Sequence, residues 1–357
     1  LEDISIHEMS NAASIFFHLN DIDKASSLIQ KAISSNGQKS FWDLDEIIRM
    51  LLLIGEFETA KELVIENEVI FGSLPEFLIL KSDVLIASNL PADALANLYP
   101  LLDKLSYSPN LLDGKSEVII KNKAQCDNYS LISTYLRAIQ LERFFGNYLK
   151  VKELIESAER VDLSNPELKL VKLEVAFSLH EQQIFSNIFQ NIIPPNNLII
   201  GLNCIKAIIN NDYATAENQF DMYLSNSEPS LMTLAIQACL EYHYNEIDLA
   251  QNHFDEAIEE ITSTKNKNSP KIFNIEAIFI ELWTQFALAI AAWKMEKWEM
   301  AGHLFEQAST HVNINPYLNF VHANFRVDLV HHYRNAEKLK VVAHKPSLEI
   351  IELASQI

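Results

Sequence analysis

The histidines near the C-terminus are the residues whose type and spacing come closest to a chemical site. His331 and His332 are adjacent, with His322 before them and His344 after them. Imidazole nitrogens are common zinc ligands. Adjacent residues of a helix, however, point about 100° apart, so one helix face cannot offer both His331 and His332 to one metal ion. We therefore interpret these histidines as surface or packed core residues.

A short run of carboxylates is the second candidate: Asp255, Glu256, Glu259 and Glu260. Carboxylate oxygens are the preferred ligands of calcium and magnesium. The same spacing is also typical of the solvated face of an amphipathic helix. We expect a solvated face here, with metal binding as the alternative, and predict no metal site.

Local catalytic motifs are missing from the sequence. No two of its seven glycines lie within six residues of each other, which excludes both the dinucleotide fingerprint GxGxxG and the phosphate loop GxxxxGK[ST]. The stretch from His180 to Ile184 begins like the zinc protease motif HExxH but lacks its second histidine. We therefore predict that the protein is not an enzyme and needs no cofactor. An enzyme built from dispersed residues is an alternative that local motifs do not address.

Charge and cysteine content limit the partners and the compartment. The formal net charge of −20 opposes nonspecific binding to nucleic acid and to anionic membranes. Cys126, Cys204 and Cys239 are few and far apart, which favours a reducing, cytoplasmic environment. A periplasmic protein without disulfides is the alternative, because it would show the same cysteine pattern. The apolar run from Ala277 to Trp293 is about 17 residues long, at the short limit for a membrane span, and contains Glu281. We interpret it as a buried helix.

The elements that position these residues are pairs of helices joined by short turns. The most regular pair runs from Trp283 to Pro316, with its turn at Glu296-Lys297-Trp298. A small residue early in the second helix lets two helices approach closely, and a larger residue four positions later fills the gap between pairs. The small residue recurs in register at Ala25, Ala60, Ala94, Ala216, Ala250 and Ala301.

In this pattern the sequence resembles the tetratricopeptide repeat family, whose 34-residue unit is a helix–turn–helix hairpin. The resemblance implies an all-α fold, a right-handed α-solenoid of about eight hairpins with a C-terminal capping helix. Residues 1–105 are expected to form N-terminal hairpins and residues 131–316 C-terminal hairpins. Residues 106–130 are expected to form an irregular linker, and residues 317–357 capping helices.

Helical spacing on the first helices of the C-terminal hairpins predicts an apolar inner face. Exposed apolar patches of this kind usually mark binding sites. In the alternative, the chain itself buries that face, either because the tail helix packs on it or because the superhelix is tight. The predicted partner-binding groove consists of Leu198, Ile205, Ile208, Met232, Cys239, Tyr242, Trp283, Phe286, Ile290 and Trp293.

Two functional hypotheses follow. The first is a non-catalytic scaffold that holds a partner peptide or helix with apolar anchors in this groove. The second is a sensory or regulatory domain of a larger signalling protein, such as a response regulator or transcription activator. It is motivated by a chain that begins with Leu1 instead of methionine. The equivalent faces of the N-terminal half carry Asp45, Arg49 and Asp83 and are more polar, so the C-terminal half is the expected site.

Overall fold

The computed structural model describes residues 5–35, 39–106, 120–189, 197–226, 230–265, 275–311 and 315–338. All regular secondary structure in these residues is helical, which confirms the predicted all-α class. The helices are α1 (Ile6–His18), α2 (Ile22–Ser34), α3 (Phe41–Ile54), α4 (Phe57–Phe71), α5 (Pro75–Ala87), α6 (Pro91–Ser106), α7 (Ile120–Phe144), α8 (Tyr148–Val161), α9 (Pro166–Ser178), α10 (Gln182–Phe189), α11 (Asn197–Ile209), α12 (Tyr213–Asn226), α13 (Leu231–His243), α14 (Ile247–Lys265), α15 (Ile275–Lys294), α16 (Trp298–His311) and α17 (Pro316–Lys338).

The turns within the hairpins share one backbone device. Each connection from an odd-numbered helix to the following even-numbered helix contains one residue with a left-handed backbone. Glycine and asparagine tolerate this conformation best and commonly end helices. The described residues from α1 to α16 form eight hairpins, each with such a turn. The left-handed residues are Asn20, Gly55, Asn89, Gly146, His180, Asn211, Asn245 and Glu296.

The hairpins share one packing register, counted from these turns. The residue five positions after each left-handed residue lies in the second helix and is buried, because there the two helices of the hairpin approach closely. Alanine occupies six of these positions, as the sequence pattern predicted. The larger Val151 and Phe185 occupy the other two. The eight residues are Ala25, Ala60, Ala94, Val151, Phe185, Ala216, Ala250 and Ala301, each at most 3% exposed.

The helix starts are encoded locally. Ser5 accepts the backbone N–H of Glu8, whose carboxylate accepts the backbone N–H of Ser5 in return, and Ser40 and Asp43 do the same before α3. These capping boxes satisfy N–H groups that the first turn of a helix leaves without partners. Proline opens α5, α6, α9 and α17, where its missing N–H costs little.

The helices group into two compact units. Unit 1 contains α1 to α6 and most of α7 and α8, and unit 2 contains α9 to α14, most of α15, α16 and α17. No helix in the described ranges is long and apolar enough to cross a lipid bilayer.

The expected linker over residues 106–130 differs from the structure in one part. Residues 107–119 lie outside the described residues, but residues 120–130 form the beginning of α7. The stretch from Lys121 to Ser130 is mostly polar, so it carries no apolar stripe that would identify a helix from sequence. Of the expected capping segment 317–357, the structure describes α17, and residues 339–357 lie outside the described part.

Candidate functional site

The apolar residues predicted to line a groove lie mainly in the core of unit 2. Eight of the ten are buried, with exposed fractions between 0% and 8%. Leu198 and Tyr242 are half-buried and remain accessible. The buried residues are Ile205, Ile208, Met232, Cys239, Trp283, Phe286, Ile290 and Trp293.

Aromatic side chains from distant helices of unit 2 cover this face. The ring of Trp283 in α15 lies 5.4 Å from the ring of Phe177 in α9, in an edge-to-face arrangement. Phe286 lies 6.2 Å from Tyr317 of α17, and Tyr317 lies 4.8 Å from Phe177. Ring pairs at these separations stabilise a core beyond the burial of their area.

The C-terminal helix covers the other end of the same face. Trp293 lies 5.8 Å from Phe325 of α17, edge to face. The structure thus differs from the open apolar groove expected here, because α9 and α17 occupy the space in front of α15. Among the ten predicted residues, those with accessible surface are Leu198 and Tyr242.

Asn315 fixes the start of α17 on this core. Its side-chain Nδ2 donates to Tyr148 Oη and to Ser178 Oγ, each at 3.2 Å. Its Oδ1 accepts the backbone N–H of Leu318 at 3.0 Å and so caps α17. The residue is 2% exposed, so these hydrogen bonds are shielded from water. Tyr148, the first residue of α8, belongs to unit 2. Three segments of unit 2 therefore meet at the side-chain amide of Asn315.

The accessible counterpart is a row of side chains on the first helices of the unit 1 hairpins. We call it the unit 1 face and define it by Trp42, Asp45 and Arg49 of α3, Asp83 of α5 and Arg137 of α7. Trp42 is 68% exposed, and the Arg49 side chain is 53% exposed. Trp42, Asp45 and Arg49 lie three and four residues apart and therefore share one side of α3.

Ion pairs connect this face across three helices. Arg49 Nε donates to Asp45 Oδ2 at 2.8 Å, and Arg49 Nη1 lies 3.9 Å from Asp83 Oδ2. Arg137 donates to both oxygens of Asp83, through Nε at 2.6 Å and through Nη2 at 2.8 Å. The planar guanidinium matches a carboxylate in this two-point arrangement. The pairs hold α3, α5 and α7 in register at their accessible edge.

The row continues onto α1. His7 Nδ1 lies 2.7 Å from Glu46 Oε1 of α3, and His7 is also within hydrogen-bond distance of Asn11. Further along α1, Ile15 is 61% exposed, and Leu19, the C-cap of α1, is 70% exposed. The face therefore combines charged groups with isolated apolar side chains.

Sequence reasoning treated the N-terminal faces as merely polar and missed the exposure of Trp42. A detectable signal was present. Phe41 and Trp42 are adjacent aromatics at the start of a helix, so their side chains point about 100° apart around the helix axis. Phe41 is buried, whereas Trp42 lies three and seven residues before the charged Asp45 and Arg49. That spacing places it on the charged side of the helix.

The histidines do not form a metal site in the described ranges. Among the described residues no group of three or more histidine, cysteine, aspartate or glutamate side chains could hold a metal ion. His332 is exposed and stacks on Trp298 at 4.6 Å. His322 is buried and stacks on Phe305 at 5.0 Å, and burial lowers its pKa to about 4. His344 lies outside the described part.

The carboxylates of α14 are solvent-exposed, whereas the described cysteine thiols are buried. Asp255, Glu256, Glu259 and Glu260 are exposed along α14, as expected for a solvated face. Cys204 and Cys239 are free and buried, and burial raises the pKa of each thiol to about 12. Both thiols therefore stay protonated at neutral pH and are poor nucleophiles or metal ligands. The side chain of Cys126 lies outside the described part.

Comparison with known proteins gives distant structural similarity and no sequence match. No protein-family model matches the sequence, and no curated protein matches it. Among solved structures, a tetratricopeptide repeat protein from Parabacteroides merdae ATCC 43184 matches with 12% identity, over 80% of this chain and 98% of that chain, at a TM-score of 0.49. Yeast Tom70 matches with 14% identity, over 98% of this chain and 95% of that chain, at a TM-score of 0.26. Independently, the eight hairpins in one register give this chain a tetratricopeptide-like repeat fold.

Proposed function

We propose that the protein is a non-catalytic scaffold that holds a segment of a protein partner on the unit 1 face. The observation that carries the proposal is Trp42, a large aromatic side chain that is 68% exposed beside a row of charged residues. Tryptophan and arginine are the residue types that most often dominate the energy of protein interfaces. On the unit 1 face both occur on one side of α3.

The ion pairs preorganise the side chains of this face for binding. Asp83 holds Arg137 by two hydrogen bonds and also attracts Arg49, so these side chains lose little freedom when a partner binds. Exposed ion pairs contribute only up to about 1 kcal/mol each to stability, so their main effect here is positional. A suitable partner segment carries an apolar group for Trp42 and a carboxylate that interacts with Arg49.

This surface differs from the C-terminal groove expected from sequence. The aromatic residues of that groove on α15 already pack against α9 and α17, whereas the unit 1 face keeps its charged and aromatic groups accessible. The partner chemistry is retained in part, because an apolar anchor is still expected. The apolar anchor of the partner is now expected to contact the exposed Trp42 instead of the row of side chains that lie in the core.

Site-specific photocrosslinking tests the proposal. A photoreactive phenylalanine analogue placed at position 42 should crosslink a discrete partner in cells, and the same analogue at position 149 should not. Leu149 is a matched control, because it is 84% exposed in the same unit but lies at the start of α8.

Two outcomes distinguish the possibilities. Arg49→Ala should lower the yield of the crosslink from position 42, because the partner loses its charged contact. Equal crosslinking from positions 42 and 149, or a crosslink that Arg49→Ala leaves unchanged, would contradict the assignment of the unit 1 face as the binding surface.

A further inference from the structure

A second surface lies on α4, on the side turned away from its hairpin partner. We call it the α4 outer face and define it by Glu58, Glu62, Ile65, Glu66 and Val69. All five residues are exposed, with Ile65 60% and Val69 96% exposed. Their spacings of three and four residues place them on one stripe of the helix. The stripe rises about 16 Å along the helix axis.

The core-facing side of α4 is fully used. Ala60 is 0% exposed and Val64 is 3% exposed, and both point away from the stripe. Because the helix already buries one apolar side, Ile65 and Val69 are not needed to hold α4 on unit 1. Ile70 is also 59% exposed, but it points about 100° around the helix axis from Val69 and lies outside the stripe. Scattered single apolar residues are normal on surfaces, but neighbouring ones on one stripe indicate a contact.

The charges on this stripe have one sign. Glu58, Glu62 and Glu66 have no cation within ion-pair distance among the described residues, whereas the nearby Glu68 is paired with Lys81 at 2.6 Å. Three like charges flanking an apolar strip repel a second copy of the same surface. They also repel anionic lipid headgroups. They attract a segment that carries lysine or arginine beside its apolar residues.

We propose that the α4 outer face binds a cationic amphipathic helix of a partner protein. Apolar side chains of that helix pack on Ile65 and Val69, and its basic side chains pair with Glu58, Glu62 and Glu66. This surface is separate from the unit 1 face, so either proposal stands or fails without the other.

A binding measurement with defined peptides tests this inference on the full chain. The probe is a fluorescein-labelled helical peptide of leucine and lysine at amphipathic spacing, and its analogue replaces every lysine with glutamate. The lysine peptide should bind, and the glutamate peptide should not. Ile65→Ser combined with Val69→Ser should weaken binding of the lysine peptide by at least about tenfold, because the apolar contact area is lost.

Charge variants separate the site from general attraction to an acidic protein. Glu58→Lys with Glu62→Lys should also weaken binding by at least about tenfold, because attraction becomes repulsion. The matched control is Glu256→Lys with Glu259→Lys in α14. It changes the net charge of the protein by the same amount, but on another exposed acidic helix face. The control should change affinity by less than about twofold, because it leaves every residue of the α4 outer face in place.

Three results would overturn the inference. The first is equal loss of affinity in the α4 and α14 charge variants, which would show that only net charge attracts the peptide. The second is unchanged binding of the lysine peptide by the double serine variant. The third is concentration-dependent dimerisation of the wild type in sedimentation that Val69→Ser abolishes, which would assign the face to a second copy of the chain.

Discussion

Replacing Ile290 by alanine separates a core face from an open groove. Ile290 is 0% exposed in α15, and Ile280 in the same helix is 57% exposed. Both substitutions remove the same atoms and change helix propensity equally, so the difference between them reports burial alone. Ile290→Ala should lower the free energy of unfolding by about 2–4 kcal/mol, because it leaves a cavity in a packed core. Ile280→Ala should change it by at most about 0.5 kcal/mol.

Urea unfolding followed by two signals measures this difference. Three of the four tryptophans, Trp283, Trp293 and Trp298, lie in unit 2 and make fluorescence a reporter of that unit. Far-UV circular dichroism follows the helices of both units. When the two transitions coincide, unfolding is treated as two-state. When they separate, the free energy of unfolding is taken from the fluorescence transition, which reports on unit 2. Equal, small losses for Ile290→Ala and Ile280→Ala would refute the conclusion that this face of α15 is buried in the core.

Two further perturbations probe unit 2. Asn315→Ala should lower the free energy of unfolding by about 2 kcal/mol, because it removes the cap of α17 and two buried hydrogen bonds. Asn319→Ala, at an exposed position of the same helix, should change it little. Urea midpoints compare the two variants. The buried His322 has a pKa of about 4, against 6.5 when unfolded, so the unfolded chain takes up the proton first. Stability should therefore fall by about 2 kcal/mol from pH 7 to pH 5, and His322→Gln should remove that part of the pH dependence; an unchanged profile would contradict it.

The hairpins could be predicted from the sequence because their signals are local. The short turns and the small residue that follows each of them lie within a few positions of one another. Even the degenerate hairpin of α9 and α10 keeps the register, with His180 in the left-handed turn and Phe185 buried five residues later. The beginning of α7 escaped prediction because residues 121–130 are too polar to show an apolar stripe.

The apolar groove could not be settled from spacing, because burial there depends on contacts between residues far apart in the chain. Phe177 and Trp283 touch across more than a hundred residues, and no local pattern encodes that contact. An apolar helix face looks the same in sequence whether a partner, another helix or solvent lies in front of it. The sequence therefore indicated that α15 has two apolar faces, and only the structure identifies what covers them.

One physical distinction nevertheless separates the two units. A helix that is apolar on all sides is stable only when it is buried all round, and α15 has a buried apolar residue at nearly every position from Leu282 to Trp293. In α3, by contrast, Leu44 and Ile48 face the core while Asp45 and Arg49 face outward. Charges on a first helix indicate that its outer face remains in water, because burying unpaired charges is costly. By this criterion α3 keeps a solvent-accessible face, and this is part of the surface on which we propose that the partner binds.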